Sequence, residues 1–152
     1  MLKIVRDNSN SEDFRQLVEL LDKELYLRYG ALQAQYDKYN KIEFLDTVVI
    51  GYIDKKPAGC GCFKVFETNT VEIKRMIVKS EHRGSGIASM ILLELEKWAV
   101  EMGFSGAVLE TGIKQVEAIK FYTKLGYQRI GNYGQYIGNE NSICMSKELT
   151  TS

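Results

Sequence analysis

A strand–helix–strand unit in the middle of the chain limits the folds open to it. Val71 to Lys79 reads as a strand, and a helix with one apolar and one charged side runs from about Ile87 to Met102. Gly103 is placed to end this helix, and Ala107 to Thr111 reads as a buried strand. Because a helix between two strands acts as a crossover, the two strands are predicted to form a parallel pair.

The apolar alternation changes phase inside the first of these strands. Val71 and Ile73 set an apolar face on odd positions, whereas Met76 and Val78 set it on even positions. Side chains of a strand alternate strictly between two faces, so the phase changes only where one extra residue is inserted. The sequence therefore predicts a β-bulge near Lys74–Arg75, which bends the strand and separates it from a neighbour.

Further strands and helices are predicted on both sides of this unit from alternation, helical spacing and turn residues. The predicted strands lie at about 1–7, 47–53, 59–66, 128–132 and 142–149, and the predicted helices at about 11–29, 32–41 and 118–125. The order β-α-α-β-β-β-α-β-α-β-β predicts an α/β (α+β) fold. Its central sheet is expected to be mixed but mostly antiparallel, with about seven strands, and to carry four helices.

Size and charge exclude several classes of protein. A chain of 152 residues is long enough to bury one core as a single domain. Lys plus Arg and Asp plus Glu number 20 each, so the excess positive charge typical of nucleic-acid binding is missing. No apolar stretch reaches the ~20 residues of a membrane span, and Met1–Asp7 lacks the apolar region of a signal peptide. We therefore expect neither a nucleic-acid nor a membrane partner.

The cysteines favour a reducing, cytoplasmic location. There are three, Cys60, Cys62 and Cys144, and an odd number does not suit a set of disulfides. Cys60-Gly61-Cys62 has two potential metal ligands, but the usual spacing leaves more residues between them and needs a second pair. His82 is the one histidine of the chain. We therefore expect no metal site.

The segment from Ile77 to Ala88 says most about function. It runs from a strand through the turn Gly84-Ser85-Gly86 into a helix N-terminus. The first amides of a helix lack internal acceptors, and the helix dipole adds partial positive charge there. Arg83 adds a full charge, so the arrangement is typical of a diphosphate site, with a simple tight turn as the alternative. The Gly-Lys-Ser/Thr of a Walker loop and the third glycine of a dinucleotide fingerprint are missing.

Three spaced motifs in this chain resemble those of the GNAT N-acetyltransferase superfamily, and the resemblance covers roughly Val48 to Leu149. Arg83–Ala88 is similar to the family's pyrophosphate loop, Gln/Arg-x-x-Gly-x-Gly/Ala, and Glu72–Val78 is similar to its bulged strand. Ala118–Tyr127 is similar to its second cofactor helix and the strand after it. The resemblance implies the GNAT fold in a single N-acetyltransferase domain over residues 1–152, with acetyl-CoA as co-substrate.

The resemblance also implies a cofactor site. Backbone groups of the bulged strand would pair with the pantetheine arm like an added strand, and an N–H near Met76 would hold the developing oxyanion. Gln115 stands where relatives often have Asn, and its amide would make a similar contact. The cofactor-binding residues implied in this way are Met76, Ile77, Val78, Arg83, Gly84, Ser85, Gly86, Ile87, Ala88, Gln115, Ala118, Phe121 and Tyr122.

Tyr122 occupies the family's position for the general acid, whose phenol meets the CoA sulfur. A place in the apolar core is compatible with this role, because buried tyrosines give their hydroxyl a partner. The general base is predicted to be Glu72 first and Glu110 second, since both lie on strands beside the expected opening. The alternative for each is a solvated face or an ion pair. His82 lies beside Arg83 and is expected to be an exposed loop residue.

The acceptor pocket of such proteins lies where relatives differ most, which here means Leu25 to Phe44 and Ile130 to Cys144. These segments carry six tyrosines that either enclose a small amine or pack in the core: Tyr26, Tyr29, Tyr36, Tyr39, Tyr133 and Tyr136. We predict direct transfer of an acetyl group to a small primary amine in a ternary complex. A protein N-terminus or lysine as acceptor, and a non-catalytic acyl-CoA-binding module, are the alternatives. A homodimer formed through a sheet edge stays open.

Overall fold

The computed structural model describes residues 1–29 and 44–150. Seven strands form one sheet in the order β1-β2-β3-β4-β5-β7-β6. The strands are β1 (Leu2–Asp7), β2 (Val48–Ile53), β3 (Lys56–Glu67), β4 (Thr70–Val78), β5 (Gly106–Gly112), β6 (Gln128–Ile130) and β7 (Ser142–Glu148). The α-helices of the described part are α1 (Glu12–Tyr29), α2 (Ile87–Glu101) and α3 (Val116–Lys124).

The strand pairing confirms the predicted sheet. Neighbouring strands are antiparallel except β4 and β5, which α2 connects and which are parallel. A parallel pair needs such a crossover, and the sequence reads as one between these two strands. Of the four helices predicted, three lie in the described part; the one predicted at about 32–41 falls outside the described residues.

Each face of the sheet buries its own apolar cluster. In α1, Phe14, Leu17 and Val18 recur at helical spacing and pack on Val48 and Ile50. The cluster on the other face is formed by residues of α2, α3 and the alternate strand positions: Val49, Val71, Ile73, Ile87, Ile91, Leu95, Ala107, Leu109 and Tyr122. Each large apolar side chain buried in this way contributes about 1.5–3 kcal/mol, so packing against the sheet holds the helices in place.

A buried polar network fixes the chain where it leaves α3. The Tyr127 hydroxyl donates to Glu96 of α2 at 2.8 Å, and Lys147 Nζ of β7 donates to the other oxygen of the same carboxylate at 2.8 Å. Glu96 is 7% exposed and Tyr127 is 1% exposed. Since Tyr127 follows α3 closely, the network anchors the helix that carries Tyr122.

Candidate active site

The predicted bulge is present in β4. Cys60 of β3 lies opposite Ile77, and Cys62 lies opposite Lys74, so β4 has one residue more than β3 over this stretch. Arg75 has a φ of +59°, in the left-handed region that side chains rarely adopt. The phase change is confirmed as well, because Val71 and Ile73 before the bulge and Met76 and Val78 after it contact the same apolar cluster.

Beyond the bulge the sheet is open. β4 pairs with β5 only through Thr70–Gly106, Val71–Ala107 and Glu72–Val108. β5 itself continues to Gly112, paired with β7 along its whole length. Met76, Ile77 and Val78 therefore lie on a strand edge that no longer meets β5, as expected where a bulge bends one strand away from another.

The glycine turn lies at the end of this open edge. Gly84 and Gly86 have φ values of +84° and +86°, and a Cβ built at either residue would meet no atom of residues 1–29 or 44–150 within 4 Å. The N–H groups of Gly84, Gly86, Ile87 and Ala88 have no backbone acceptor within the described part of the chain. Open space above free amides at a helix N-terminus suits an anion that needs close contact with the backbone.

Arg83 points back from the turn toward β4 and α1. Its Nε donates to the Val78 carbonyl at 3.2 Å, and its Nη2 donates to Glu24 at 2.7 Å. The side chain remains 44% exposed. The hydroxyl of Ser85 donates to the His82 carbonyl at 2.6 Å. The guanidinium thus lies between the strand edge and α1, and it does not cover the free amides of the turn.

Tyr122 is buried in α3 with its ring in the apolar cluster. It is 8% exposed and makes edge contacts with Phe121 and Tyr127, at centroid distances of 5.2 and 5.7 Å. No hydrogen bond from another described residue acts on the pKa of its hydroxyl; the two causes of the shift are burial and a nearby charge. Burial raises the pKa of Tyr122 well above its ordinary value, and the charge of Glu110 adds to the effect. The phenol therefore keeps its proton at neutral pH.

The remaining predicted residues of α3 lie on the same side of the opening. Ala118 and Phe121 are partly buried against the apolar cluster. Gln115 stands directly before the helix, and its side chain makes no capping hydrogen bond. The side-chain amide of Gln115 therefore does not cap α3.

Glu72 and Glu110 lie on the other face of the sheet, opposite the cluster that holds Tyr122. Glu72 pairs with Val108, and Glu110 is two residues further along β5, so strand alternation puts all three side chains on one face. The two carboxylates therefore lie near each other where the sheet opens. Their surroundings differ.

Glu72 is tied into a polar cluster. It is 4% exposed and accepts the Tyr133 hydroxyl at 2.7 Å. Its other oxygen lies 3.9 Å from Lys64 Nζ and 4.0 Å from Lys74 Nζ. Burial raises the pKa of Tyr133 beyond its ordinary range, with the Glu72 charge as a further cause, so the phenol stays protonated and donates to the carboxylate.

Glu110 accepts one hydrogen bond from the described side chains and has a strongly shifted pKa. It accepts the Ser142 hydroxyl at 2.8 Å. Burial raises the pKa of Glu110 from 4.5 to about 7; the Ser142 hydrogen bond opposes this shift and the charge of Glu72 adds to it. The negative charge of Glu110 also raises the pKa of Tyr122, although the two side chains belong to opposite faces of the sheet.

Two of the six tyrosines in the predicted acceptor segments have described side chains. Tyr136 is 2% exposed, and its ring meets that of Tyr133 edge-on at 5.6 Å. Tyr133 also contacts Phe66 at 4.7 Å. Both tyrosines are thus packed beside the two carboxylates. Tyr26 and Tyr29 end α1, and Tyr36 and Tyr39 lie outside the described residues, as does most of the Leu25–Phe44 segment.

Sequence reasoning missed the partners of the carboxylates. Lys74, two residues from Glu72 on the same strand, is a neighbour that alternation alone could indicate. Lys64 of β3 and the more distant Tyr133 also contact Glu72, and Ser142 of β7 donates to Glu110. Only knowledge of the strand order could have found them.

Two negative findings hold for residues 1–29 and 44–150. No helix in these ranges is long and apolar enough to cross a bilayer. Their His, Cys, Asp and Glu side chains form no group of three or more placed to hold a metal ion.

Comparison with known proteins agrees with this geometry. The family model described as acetyltransferase (GNAT) family matches residues 14–127. The chain is 32% identical over 152 residues to the IAA acetyltransferase of Azospirillum brasilense, covering 96% of this chain and 97% of that protein. Its fold matches a proposed acyl-CoA N-acyltransferase of Klebsiella pneumoniae, with a TM-score of 0.82, 25% identity and 99% of both chains covered. It also matches the PaiA N-acetyltransferase of Thermoplasma acidophilum in complex with coenzyme A, with a TM-score of 0.73, 19% identity, and 97% and 99% of the chains covered.

Proposed function

The chain belongs to the acetyltransferase (GNAT) family and is an acyltransferase, and from this premise we propose that it transfers an acetyl group from acetyl-CoA to the primary amine of a small molecule. The observation that carries the proposal is the open edge of β4 leading into the glycine turn. An unpaired strand edge and a set of free helix amides are complementary to a thin amide-bearing arm that ends in a diphosphate.

The residues of the site fit the donor. Free amides at Gly84, Gly86, Ile87 and Ala88 would bind its diphosphate, and no described side chain lies within 4 Å of a Cβ placed on either glycine. Arg83 would add positive charge by exchanging Glu24 for the diphosphate. That exchange costs little, since exposed ion pairs contribute about 0–1 kcal/mol. When bound, acetyl-CoA supplies the activated acetyl group.

The gap between β4 and β5 gives one ligand access to side chains from both faces of the sheet. Tyr122 belongs to one face and Glu110 to the other, and a continuous sheet would separate them. We assign Tyr122 as the group that protonates the departing sulfur, because its phenol is protonated, buried and not engaged by the described residues. A backbone N–H near Met76 would hold the acyl oxygen as its charge grows.

Glu110 is the better candidate for the general base. A base works best with a pKa near the operating pH, and burial raises the pKa of Glu110 to about 7. Glu72 already accepts the Tyr133 hydroxyl and lies near two lysines, which leaves it less free to take a proton. We therefore propose that Glu110 removes the amine proton and that Glu72 holds Tyr133 in place.

An assay of released CoA thiol over a panel of amines tests the function. Wild type is compared with Tyr122→Phe, which we expect to lower kcat by about 10²-fold with a small change in KM, since a proton donor is lost. Tyr52→Phe is the control for loss of a phenol hydroxyl, because Tyr52 belongs to β2, where it hydrogen-bonds Asp13, and not to the opening. Full activity of Tyr122→Phe across pH would refute the acid role. Turnover of peptides alone would make the acceptor a protein, and no turnover of either would leave an acyl-CoA-binding module.

A further inference from the structure

The Cys60-Gly61-Cys62 segment of β3 lies directly opposite the bulge of β4. The Cys60 thiol donates to the Arg75 carbonyl at 3.6 Å, and the Cys62 thiol donates to the Lys74 carbonyl at 3.4 Å. These two carbonyls belong to the stretch where the extra residue breaks the ladder. A bulge leaves backbone groups without ladder partners, and such groups need other donors when they are buried.

Both thiols are placed to donate in an apolar environment. Cys60 and Cys62 are 0% exposed and lie in the cluster beneath α1. Burial raises the pKa of Cys62 to about 12 and that of Cys60 well above its ordinary value, so both keep their hydrogen. Cysteine behaves as a small hydrophobe with a weak S–H donor, which suits a carbonyl that faces an apolar core.

Gly61 completes the arrangement on the opposite face. A Cβ at Gly61 would overlap Met76 Sδ and lie 2.9 Å from Leu95 Cδ1. Met76 can enter the apolar cluster just after the bulge only because Gly61 has no side chain. Each of the three residues thus accommodates the bulge: the two thiols donate to its carbonyls, and Gly61 leaves room for Met76.

Arg75 supplies an additional anchor from α1. Its Nη1 donates to Asp22 at 3.0 Å, and its side chain is 9% exposed. Arg75, which has the left-handed φ, is therefore held at two points. Asp22 of α1 binds its side chain, and the Cys60 thiol donates to its carbonyl.

We propose that Cys60 and Cys62 are positioning residues that hold the bulge at Lys74–Arg75, and with it the Met76–Val78 edge that receives the acyl donor. The second half of this statement rests on the proposed function. Loss of the bulge would exchange the two faces of β4 after it, because side chains alternate and the extra residue sets their phase. Met76 and Val78 would leave the apolar cluster, and the amide near Met76 would turn away from the opening.

The test compares two double variants of nearly equal side-chain volume. Cys60→Ser/Cys62→Ser keeps a donor at each position, and Cys60→Ala/Cys62→Ala removes it. Val48→Ala is the control, since it takes volume from the same cluster at the β2 position opposite Cys62 and leaves both thiols in place. Amide hydrogen exchange of Met76, Ile77 and Val78 is measured without ligand, and calorimetry measures the affinity for CoA.

We expect the alanine pair to speed exchange at these amides and to weaken CoA binding about tenfold, a size that two lost net hydrogen bonds allow. The serine pair should stay within about threefold of wild type in both measurements, and Val48→Ala should keep its CoA affinity. Where the alanine pair is too unstable to purify, Cys60→Ala is compared with Cys60→Ser, and Cys62→Ala with Cys62→Ser, in the same measurements.

Two results would overturn the proposal: wild-type exchange in the alanine pair, or equal losses with serine and alanine, which would mean that volume alone matters. Failure of the proposed function is visible separately, as absence of CoA binding by wild type. Hydrogen exchange of the free protein would then still decide whether the thiols hold the bulge.

Discussion

Replacing Glu110 by Gln should stabilise the folded protein at alkaline pH. Burial raises the pKa of Glu110 from 4.5 to about 7, so the folded state keeps a proton that the unfolded state has already lost between these values. The free energy of unfolding of wild type therefore falls as pH rises through this range. Gln has the shape of the protonated carboxyl and no titration, so the variant should lack this part of the pH dependence.

The size of the effect follows from the two pKa values. The difference between 4.5 and about 7, at about 1.4 kcal/mol for each pKa unit, corresponds to roughly 3 kcal/mol. Below about pH 4.5 the carboxyl is protonated in both states and this contribution vanishes. The free energy of unfolding of Glu110→Gln minus that of wild type should thus grow by roughly 3 kcal/mol from about pH 4 to above pH 8.

Denaturant unfolding at several pH values measures this difference directly. Glu148→Gln is the control, because it makes the same Glu-to-Gln change at an exposed position at the end of β7. In parallel, the acidic limb of kcat/KM near pH 7 should disappear in Glu110→Gln, with a loss of about 10²–10⁴-fold in rate. A constant stability difference would refute the burial argument. A persistent acidic limb would refute only the role of Glu110 as base.

Two further predictions concern the turn and the buried network. Gly86→Ala places a side chain at a φ of +86°, and no described atom lies within 4 Å of the new Cβ. The strained backbone alone should lower the free energy of unfolding by about 1 kcal/mol, measured by denaturation. The same methyl group would stand where an anion approaches, so KM for acetyl-CoA should rise about tenfold or more, an effect that an unchanged KM would contradict. Glu96→Ala removes the shared acceptor of Tyr127 and Lys147 and should cost about 2–4 kcal/mol, while Glu94→Ala on the surface of α2 should cost less than about 1 kcal/mol. Equal losses in these two variants would mean that the network does not anchor α3.

Local sequence patterns predicted the parts of the site that depend on neighbouring residues. The phase change between Ile73 and Met76 located the bulge, because strand alternation is a property of a few consecutive side chains. The Gly84-Ser85-Gly86 turn was recognisable for the same reason, since it depends on backbone freedom at two positions. Gly103, with a φ of +96°, ends α2 as its place in the pattern predicted.

The parts that depend on distant residues could not be predicted in this way. The sequence predicts Glu72 ahead of Glu110 as the base, and no local pattern shows that Tyr133, 61 residues further on, hydrogen-bonds Glu72. The raised pKa of Glu110 likewise comes from burial, which exists only once the chain has folded. Arg83 was recognised as a charge beside the turn, but its contact with Glu24 depends on how α1 crosses the sheet.

The gap between β4 and β5 also bears on how this strand edge is kept from pairing with the strands of other proteins. Unpaired strand edges at the periphery of a sheet invite pairing with other chains, which leads to aggregation. Here the edge of Met76–Val78 that faces away from β3 lies in the interior of the sheet, with β5 across the gap. A strand of another protein would have to enter the gap between β4 and β5 to pair with this edge. The fold therefore leaves the edge able to bind a ligand but not accessible to the strands of other proteins.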